Sequence, residues 1–221
     1  MESRKFFSEE LSRLRQDILA MAIRVEENLS KALTALRTRN PDLAKEVRAD
    51  DSEIDALQIS IEDDAAIIIA TQQPVARDLR EMVSIFKLTS NIERVGDHAV
   101  HLSRAAKKLA KNGDSSFRAQ EHLEKMAETG QFMLRAAISA FLAQDAQAAR
   151  DAAAMDNKID TEHKALTENI LKLMKKNPEL VKGALQILHT SNQLERLGDH
   201  ITNICEAVIY ISEGIHEELN E

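Results

Sequence analysis

The chain repeats one heptapeptide, and this repeat constrains the fold more than any other feature of the sequence. The motif reads IERVGDH at residues 92–98 and LERLGDH at residues 194–200. Around both copies, aliphatic or small residues recur at alternating steps of three and four, which is the spacing of a coiled-coil seam. Corresponding seam positions are 102 residues apart, with one hydroxyl among them: Ile85, Leu88, Ile92, Val95, Ala99, Leu102, Ala106 and Leu109 match Ile187, Thr190, Leu194, Leu197, Ile201, Ile204, Val208 and Ile211. We therefore interpret the chain as two duplicated helical halves.

Breaks in the apolar pattern predict six helices, three in each half. Six glycines, three prolines and 3% aromatic residues disfavour a many-stranded sheet. Pro41, Pro74 and Pro178 each stand at a break, and proline is tolerated in the first turn of a helix but not in its interior. With KNGDSS at 111–116 and a weaker break at 141–147, these prolines predict helices over 4–38, 42–71, 75–111, 116–142, 145–175 and 179–214.

The predicted fold is all-α, with two tandem three-helix bundles at residues 1–113 and 114–221. The second bundle is expected to have the less apolar seam, because Thr190 and Glu162 stand where the first bundle has leucines. The fifth helix also carries fewer aliphatic residues than the second.

Composition excludes several classes of protein. The 221 residues carry a formal charge of −8, whereas nucleic-acid binding needs a basic surface. The N-terminal residues lack the pattern of a secretion signal, and no apolar run approaches the roughly 18 residues needed to cross a bilayer. Cys205 has no second cysteine to pair with, which favours a reducing compartment. We expect a soluble cytoplasmic protein that does not bind nucleic acid.

Each half carries two acidic pairs at a spacing of four, which places both carboxylates of a pair on one stripe of a helix. Relative to the seam, the pairs in the heptapeptides fall on the outer helix face. The second and third helices should be antiparallel about Pro74, and Asp55 and Glu93 lie nineteen residues before and after it. Because the acids of the two helices are equally many residues from the turn between them, the four carboxylates of each half should lie at the same height along the helix axes. They are Asp51, Asp55, Glu93 and Asp97 in the first half, and Asp156, Asp160, Glu195 and Asp199 in the second.

Four clustered carboxylates repel one another, and a multivalent cation would reverse the sign of that interaction. Two carboxylates about 4 Å apart repel by a few kcal/mol at an effective dielectric constant of about 20. Carboxylate ligands suit Mg²⁺, Mn²⁺ or Ca²⁺, and a nearby imidazole widens the choice to Fe or Zn²⁺. His98 and His200 adjoin the last aspartate of each motif and are further candidate ligands. Gly96 and Gly198 would let a neighbouring helix or an ion approach closely. The alternative is that each acidic pair is a solvated helix face.

Four arginines are candidates for partner binding. Arg94 and Arg196, within the heptapeptides, either neutralise nearby carboxylates or pair with a partner. Arg77 and Arg80 lie in QQPVARDLR at 72–80, where a proline and an early aspartate are typical of a helix start. They form a basic spot at one bundle end that could engage a partner or a phosphate group, and the alternative is an ordinary helix surface.

Three stretches closely resemble the PhoU family of bacterial phosphate-uptake regulators: QQPVARDLR, IERVGDH and LERLGDHITNICEAVIYISEG. The resemblance covers nearly the whole chain. It implies two three-helix bundles related by a pseudo-repeat, whose E/D-x-x-x-D motifs hold multinuclear metal sites on the bundle surface. Those motifs match the eight carboxylates named above. The ions expected are divalent or trivalent, with Fe, Mn, Zn and Mg as the candidates.

The resemblance also implies a role without catalysis. Proteins of this family are cytoplasmic negative regulators of the phosphate regulon, acting between the phosphate-specific ABC transporter and a sensor histidine kinase. Dimers are common among them. We therefore expect a metal-binding adaptor and homodimer that reaches the membrane only through these partners.

Two other functions stay open. A carboxylate-bridged di-metal enzyme of the ferritin-like kind would use inward-pointing Glu-x-x-His motifs. The predicted helices contain none, and Asp160-x-x-His163 in one half is the closest approach. A purely structural helical scaffold would leave the repeated heptapeptide unexplained.

Overall fold

The computed structural model describes the backbone of residues 2–112 and 117–220 and the side chains of residues 5–106 and 119–220. Within these ranges the chain forms α-helices, one short 3₁₀ turn and no strand, so the all-α prediction is confirmed. The helices are α1 Glu2–Thr38, α2 Pro41–Gln72, α3 Ala76–Asn112, α4 Phe117–Ala143, α5 Ala146–Ala153, α6 Asp156–Lys176 and α7 Val181–Glu213, and the 3₁₀ turn is Pro178–Leu180.

The three prolines stand at helix starts, as predicted. Pro41 is the first residue of α2, and the Asn40 side chain accepts a hydrogen bond from the backbone N–H of Asp42, which caps the helix. Pro74 lies two residues before α3, and Pro178 opens the 3₁₀ turn that leads into α7. The predicted central break also falls between helices, although residues 113–116, and with them the boundary between the two halves, lie outside the described residues.

The prediction of a single helix over 145–175 is wrong, because a turn at Ala154 and Met155 divides it into α5 and α6. The two segments bury faces of different size. α6 buries Ile159, Leu166 and Ile170, whereas α5 buries only alanines: Ala146, Ala149, Ala152 and Ala153. Both segments pack against α4 and α7, so the turn separates a segment that buries only alanines from one that buries larger aliphatic side chains.

The two halves pack side by side. α2 lies against α1 and α3, while α5 and α6 lie against α4 and α7. The motif-bearing helices α3 and α7 make the most extensive helix–helix contact, and α1 meets α4. Every seam residue with a described side chain is buried in both helices; Leu109 lies outside those ranges. The tandem arrangement of two helical bundles is thereby confirmed.

The two polar residues of the second seam find partners. Thr190 is buried, and its hydroxyl donates to the backbone oxygen of Gln186 at 2.8 Å. Glu162 is half-buried and accepts a hydrogen bond from Nδ1 of His122 at 2.5 Å. A polar group costs little inside a protein when it is hydrogen-bonded, so both residues are compatible with a closed bundle.

Among the described residues, no helix is long and apolar enough to cross a membrane.

Candidate metal centres

The first carboxylate cluster lies between α2 and α3. It consists of Asp51 and Asp55 from α2 and Glu93 and Asp97 from α3. Burial raises the pKa of Glu93 to about 7, and the charge of Asp97, followed more weakly by Asp55 and Asp51, adds to the rise. Burial also raises the pKa of Asp51, to which Asp55 and Asp97 contribute. The structure thus brings together the four carboxylates that equal counting about Pro74 predicted.

The predicted outer-face position of the heptapeptide acids needs correction. The side chain of Glu93 is only 16% exposed, and that of Asp97 is 36% exposed. α2 packs beside this stripe of α3, so the carboxylates lie in a groove between two helices. Partial burial makes their mutual repulsion stronger than it would be on a solvated face.

Arg94 neutralises part of this charge, as one of the two sequence interpretations proposed. Its guanidinium donates to Asp97 Oδ2 at 2.9 Å and lies 3.6 Å from Glu93 Oε2. In the second half, the exposed Arg196 lowers the pKa values of Glu195 and Asp199 against the larger effect of burial. The single arginine of each heptapeptide compensates only part of the charge of four carboxylates.

The second carboxylate cluster lies between α6 and α7 and lines a cleft of about 340 Å³. Burial raises the pKa of Asp156 to about 7, and Asp160, Asp199 and Glu195 contribute in that order. Burial likewise raises the pKa values of Glu195 and Asp199. Oδ1 of Asp156 is buried without a hydrogen-bond partner. An unpartnered buried carboxylate oxygen is costly, and a bound cation would satisfy it.

The two motif glycines differ in what surrounds them. A Cβ atom at Gly198 would lie 2.0 Å from Asp156 Oδ1 and 3.1 Å from Ile159 Cδ1, so a side chain there would displace the carboxylate. At Gly96 the nearest atoms would be Ile54 Cδ1 and Val25 Cγ2, both at 3.6 Å, which is ordinary van der Waals contact. The predicted close approach of a neighbouring helix is therefore confirmed in the second half and wrong in the first.

The donor atoms suit a hard cation, although they do not form a finished coordination sphere. Among the described residues, no three acidic, histidine or cysteine side chains converge closely enough to hold an ion as they stand. Mutual repulsion between like charges favours such separation. Carboxylate oxygens are the ligands that Mg²⁺, Mn²⁺ and Ca²⁺ prefer, and Asp156 presents one that has no other partner. The residues present fit a cation whose binding draws the carboxylates together.

His98 and His200 lie at the contact between the two halves. Nδ1 of His98 donates to Gln193 Oε1 at 3.1 Å, and Nδ1 of His200 donates to Asn91 Oδ1 at 3.0 Å. The two rings are 5.4 Å apart between centroids. Asn91 and Gln193 occupy equivalent positions of the repeat, so the two hydrogen bonds are related by the internal pseudo-symmetry. Both histidines have a structural role at this interface, and their role as metal ligands stays a prediction.

The environment of these histidines favours their neutral form. Burial lowers the pKa of His98 to about 4, and the neighbouring His200 contributes to the shift. Burial also lowers the pKa of His200, as do Arg196 and Arg94. A neutral imidazole keeps one nitrogen as a donor for the bond across the interface.

Arg77 and Arg80 lie at the bundle end where α3 begins. Arg77 is exposed and donates to the Gln144 side chain, whose amide nitrogen in turn donates to Glu81 Oε2 at 2.9 Å. Arg80 lies against Gly214 at the end of α7, and its Nε is buried without a hydrogen-bond partner. These contacts tie α3 to the second half, and partner binding by either arginine stays a prediction.

The cleft of the second cluster also contains residues that the repeat did not indicate. They are Arg150 and Asn157 beside the acidic pair of α6, and Leu219 and Asn220 from the segment after α7. The sequence offered no signal for the last two, because they lie outside the duplicated pattern and reach the cleft through the path of the chain.

Comparison with known proteins relates this chain to one family. The family model described as the PhoU domain matches residues 18–106 and 123–208, one match in each half. A protein of Pseudomonas putida named phosphate-specific transport system accessory protein PhoU homolog is 35% identical over 208 residues, covering 94% of this chain and 81% of the relative. The Escherichia coli K12 protein named phosphate-specific transport system accessory protein PhoU is 31% identical over 208 residues, covering 94% of this chain and 86% of the relative.

Solved structures agree with these sequence relatives. The crystal structure of PhoU from Pseudomonas aeruginosa superposes with a TM-score of 0.90 at 34% identity, covering 95% of this chain and all of that one. The phosphate transport system regulatory protein PhoU from Streptococcus pneumoniae superposes with a TM-score of 0.89 at 33% identity, covering 96% of this chain and 99% of that one.

Proposed function

This chain belongs to the PhoU family, and on that premise we propose that it regulates phosphate transport as a metal-binding adaptor. The observation that carries the proposal is similarity over 94% of the chain to relatives named as accessory proteins of a phosphate-specific transport system. The adaptor would restrain phosphate uptake and the phosphate regulon when phosphate is plentiful. Its partners would be the phosphate ABC transporter and a sensor histidine kinase. A homodimer and a cytoplasmic location stay predictions.

The two carboxylate clusters are the proposed metal centres. Asp51, Asp55, Glu93 and Asp97 would hold one, and Asp156, Asp160, Glu195 and Asp199 the other. A bound multivalent cation would supply the positive charge that each groove lacks. Support comes from the raised pKa values of Glu93 and Asp156, because burial beside other acids disfavours the ionised form until a cation compensates.

The role of the bound metal follows from where the ligands sit. Each cluster joins two helices of one half, α2 with α3 and α6 with α7. An ion held by ligands from two helices would fix the position of one helix relative to the other. Because the ion would bind the folded chain and not the unfolded chain, its binding would stabilise the groove. In this proposal the centres fix the shape of the surface that partners meet, and the protein is not an enzyme. No observation in the described residues favours the di-metal enzyme over this role.

Gene deletion tests the regulatory proposal. Removal of the gene should leave phosphate-starvation genes switched on in phosphate-rich medium, measured with a transcriptional reporter. Reintroduction of the intact chain should restore repression. Unchanged reporter expression after deletion would contradict the regulatory role.

Metal content tests the centres independently of regulation. Mass spectrometry of natively purified protein should find at least about one ion for each cluster. Substitution of Glu93, Asp97, Glu195 and Asp199 by alanine should remove the ions. Substitution of Glu124 and Glu128, another acidic pair with a spacing of four, provides the control and should leave the metal content unchanged. Substoichiometric metal in both the intact protein and the variant would reduce the clusters to acidic surface.

A further inference from the structure

The segment after α7 turns back along that helix toward the second carboxylate cluster. Gly214 ends α7 in the left-handed conformation, with φ of 76°, which glycine adopts without strain and which reverses the chain. Beyond it, the His216 ring stacks on Tyr210 with centroids 4.1 Å apart. The backbone N–H of Leu219 then donates to Glu206 Oε1 at 3.1 Å. Residues 214–220, here named the strap, therefore run antiparallel to α7.

The strap is anchored at its start by one arginine. Arg150 of α5 donates to Glu213 Oε2 at 2.6 Å and to Glu217 Oε2 at 2.7 Å, so one guanidinium holds the last residue of α7 and the middle of the strap. Paired N–H donors of this kind fix geometry as well as charge. Arg150 itself lies on the wall of the cleft beside the second cluster.

The far end of the strap reaches the cluster itself. The side-chain amide of Asn220 donates to the backbone oxygen of Asp199 at 3.3 Å. Leu219 is half-buried against the core, and both residues line the cleft that contains all four carboxylates. Residues of the strap therefore form part of the wall along which an ion would enter or leave this cleft. We propose that the strap controls ion exchange at the second cluster, whereas the first cluster exchanges ions without such a control.

Among the described residues of the first half, no equivalent of the hydrogen bond between Leu219 and Glu206 is found. At the position 102 residues before Glu206 the chain carries Arg104, which cannot accept a backbone hydrogen bond. The chain after α3 must also continue to α4, which begins at Phe117. The four residues between the helices span at most about 14 Å, whereas Asp97 lies about 22 Å back along α3 from Asn112. The two centres are therefore chemically alike and differ in access.

This inference rests on the metal centres proposed above, and the release rate of Zn²⁺ tests it. Each centre is studied alone: Glu93→Ala with Asp97→Ala leaves the second, and Glu195→Ala with Asp199→Ala leaves the first. Protein loaded with Zn²⁺ is mixed with an excess of a coloured chelator, and the absorbance change gives the release rate. Deletion of residues 215–221 should accelerate release from the second centre about tenfold or more. This is the factor by which one or two hydrogen bonds would slow the local opening of the strap.

The same deletion should leave the release rate from the first centre unchanged. A pair of point variants provides a second test that leaves the chain length intact. Glu217→Ala removes an anchor of the strap and should accelerate release from the second centre, while Glu218→Ala, at the exposed neighbouring position, should not. Circular dichroism checks that every variant remains helical.

The possible outcomes separate the two proposals. If Zn²⁺ binds at both centres and its release rates are the same with and without residues 215–221, the role of the strap is overturned and the metal centres are supported. Equal acceleration at both centres would also overturn it, because the effect would then be general destabilisation. If the intact chain binds Zn²⁺ at neither centre, the proposal of metal centres and the role of the strap are both contradicted.

Discussion

Alanine substitution at the two motif glycines tests the difference that the structure shows between the carboxylate clusters. At Gly96, a Cβ atom would meet only Ile54 and Val25, at 3.6 Å. Alanine is more favourable than glycine inside a helix by about 0.8–1.0 kcal/mol. Because no neighbour has to move, we expect Gly96→Ala to raise the free energy of unfolding by about 1 kcal/mol.

The same substitution at Gly198 should have the opposite sign or no effect. The new Cβ would lie 2.0 Å from Oδ1 and 3.0 Å from Cγ of Asp156, and 3.1 Å from Cδ1 of Ile159, which is fully buried. Overpacking of this kind costs about 1–3 kcal/mol and offsets the gain in helix propensity. We therefore expect Gly198→Ala to lower the free energy of unfolding by about 0–2 kcal/mol, so that the two variants differ by at least about 1 kcal/mol.

Urea unfolding in the presence of a chelator measures both variants, with circular dichroism as the signal. A shift of the midpoint at constant slope reports a change of stability and not of the unfolded state. Metal content gives a second readout, since Gly198→Ala displaces Asp156 and should weaken only the second centre. Equal stabilisation by the two substitutions would refute the reasoning, because it would show that Asp156 and Ile159 move away from α7 without cost.

Three further predictions concern pH, a buried ion pair and the contact between the halves. The pKa of Glu93 is raised from 4.5 to about 7, so the folded chain binds this proton more tightly than the unfolded chain. Glu93 should contribute a fall of about 1–3 kcal/mol in the free energy of unfolding of metal-free protein as the pH rises from 4.5 through 7. Glu93→Gln should remove that contribution in chemical unfolding and leave the one from Asp156, whose pKa is also raised to about 7. Glu81 is 2% exposed and accepts two hydrogen bonds from Arg15, at 2.6 and 2.8 Å, so Glu81→Ala should cost about 2–4 kcal/mol; a loss below 1 kcal/mol in the same assay would contradict this. Asn91→Ala removes the acceptor of His200 and should cost about 1 kcal/mol, with faster amide hydrogen exchange along α3 and α7 as the local sign.

Much of the fold follows from local pattern. The seam spacing predicted which faces of α3 and α7 are buried, because a helix has a fixed period and an apolar stripe must find a partner. The prolines predicted three helix starts for an equally local reason. The break between α5 and α6 was not predicted, because Ala154 and Met155 are not residue types that end a helix.

The candidate centres show where sequence reasoning ends. Equal residue counts about Pro74 placed Asp55 level with Glu93, because antiparallel helices have the same rise per residue. The counts did not predict that Gly198 lies against Asp156 while Gly96 has room for a methyl group, since the distance between two helices depends on all the side chains packed between them. They also did not indicate that His98 faces Gln193 across the interface.

The sequence by itself therefore determined the duplication, the helices other than the division between α5 and α6, the buried seams and the height of each carboxylate. The tertiary structure decided which carboxylates are most buried, how the two halves are joined, and that residues 214–220 reach the cleft of the second cluster. The physical reason is that helical period and rise are properties of the local backbone. Burial, helix separation and the path of an irregular segment depend on contacts between residues far apart in the chain, which no local pattern encodes.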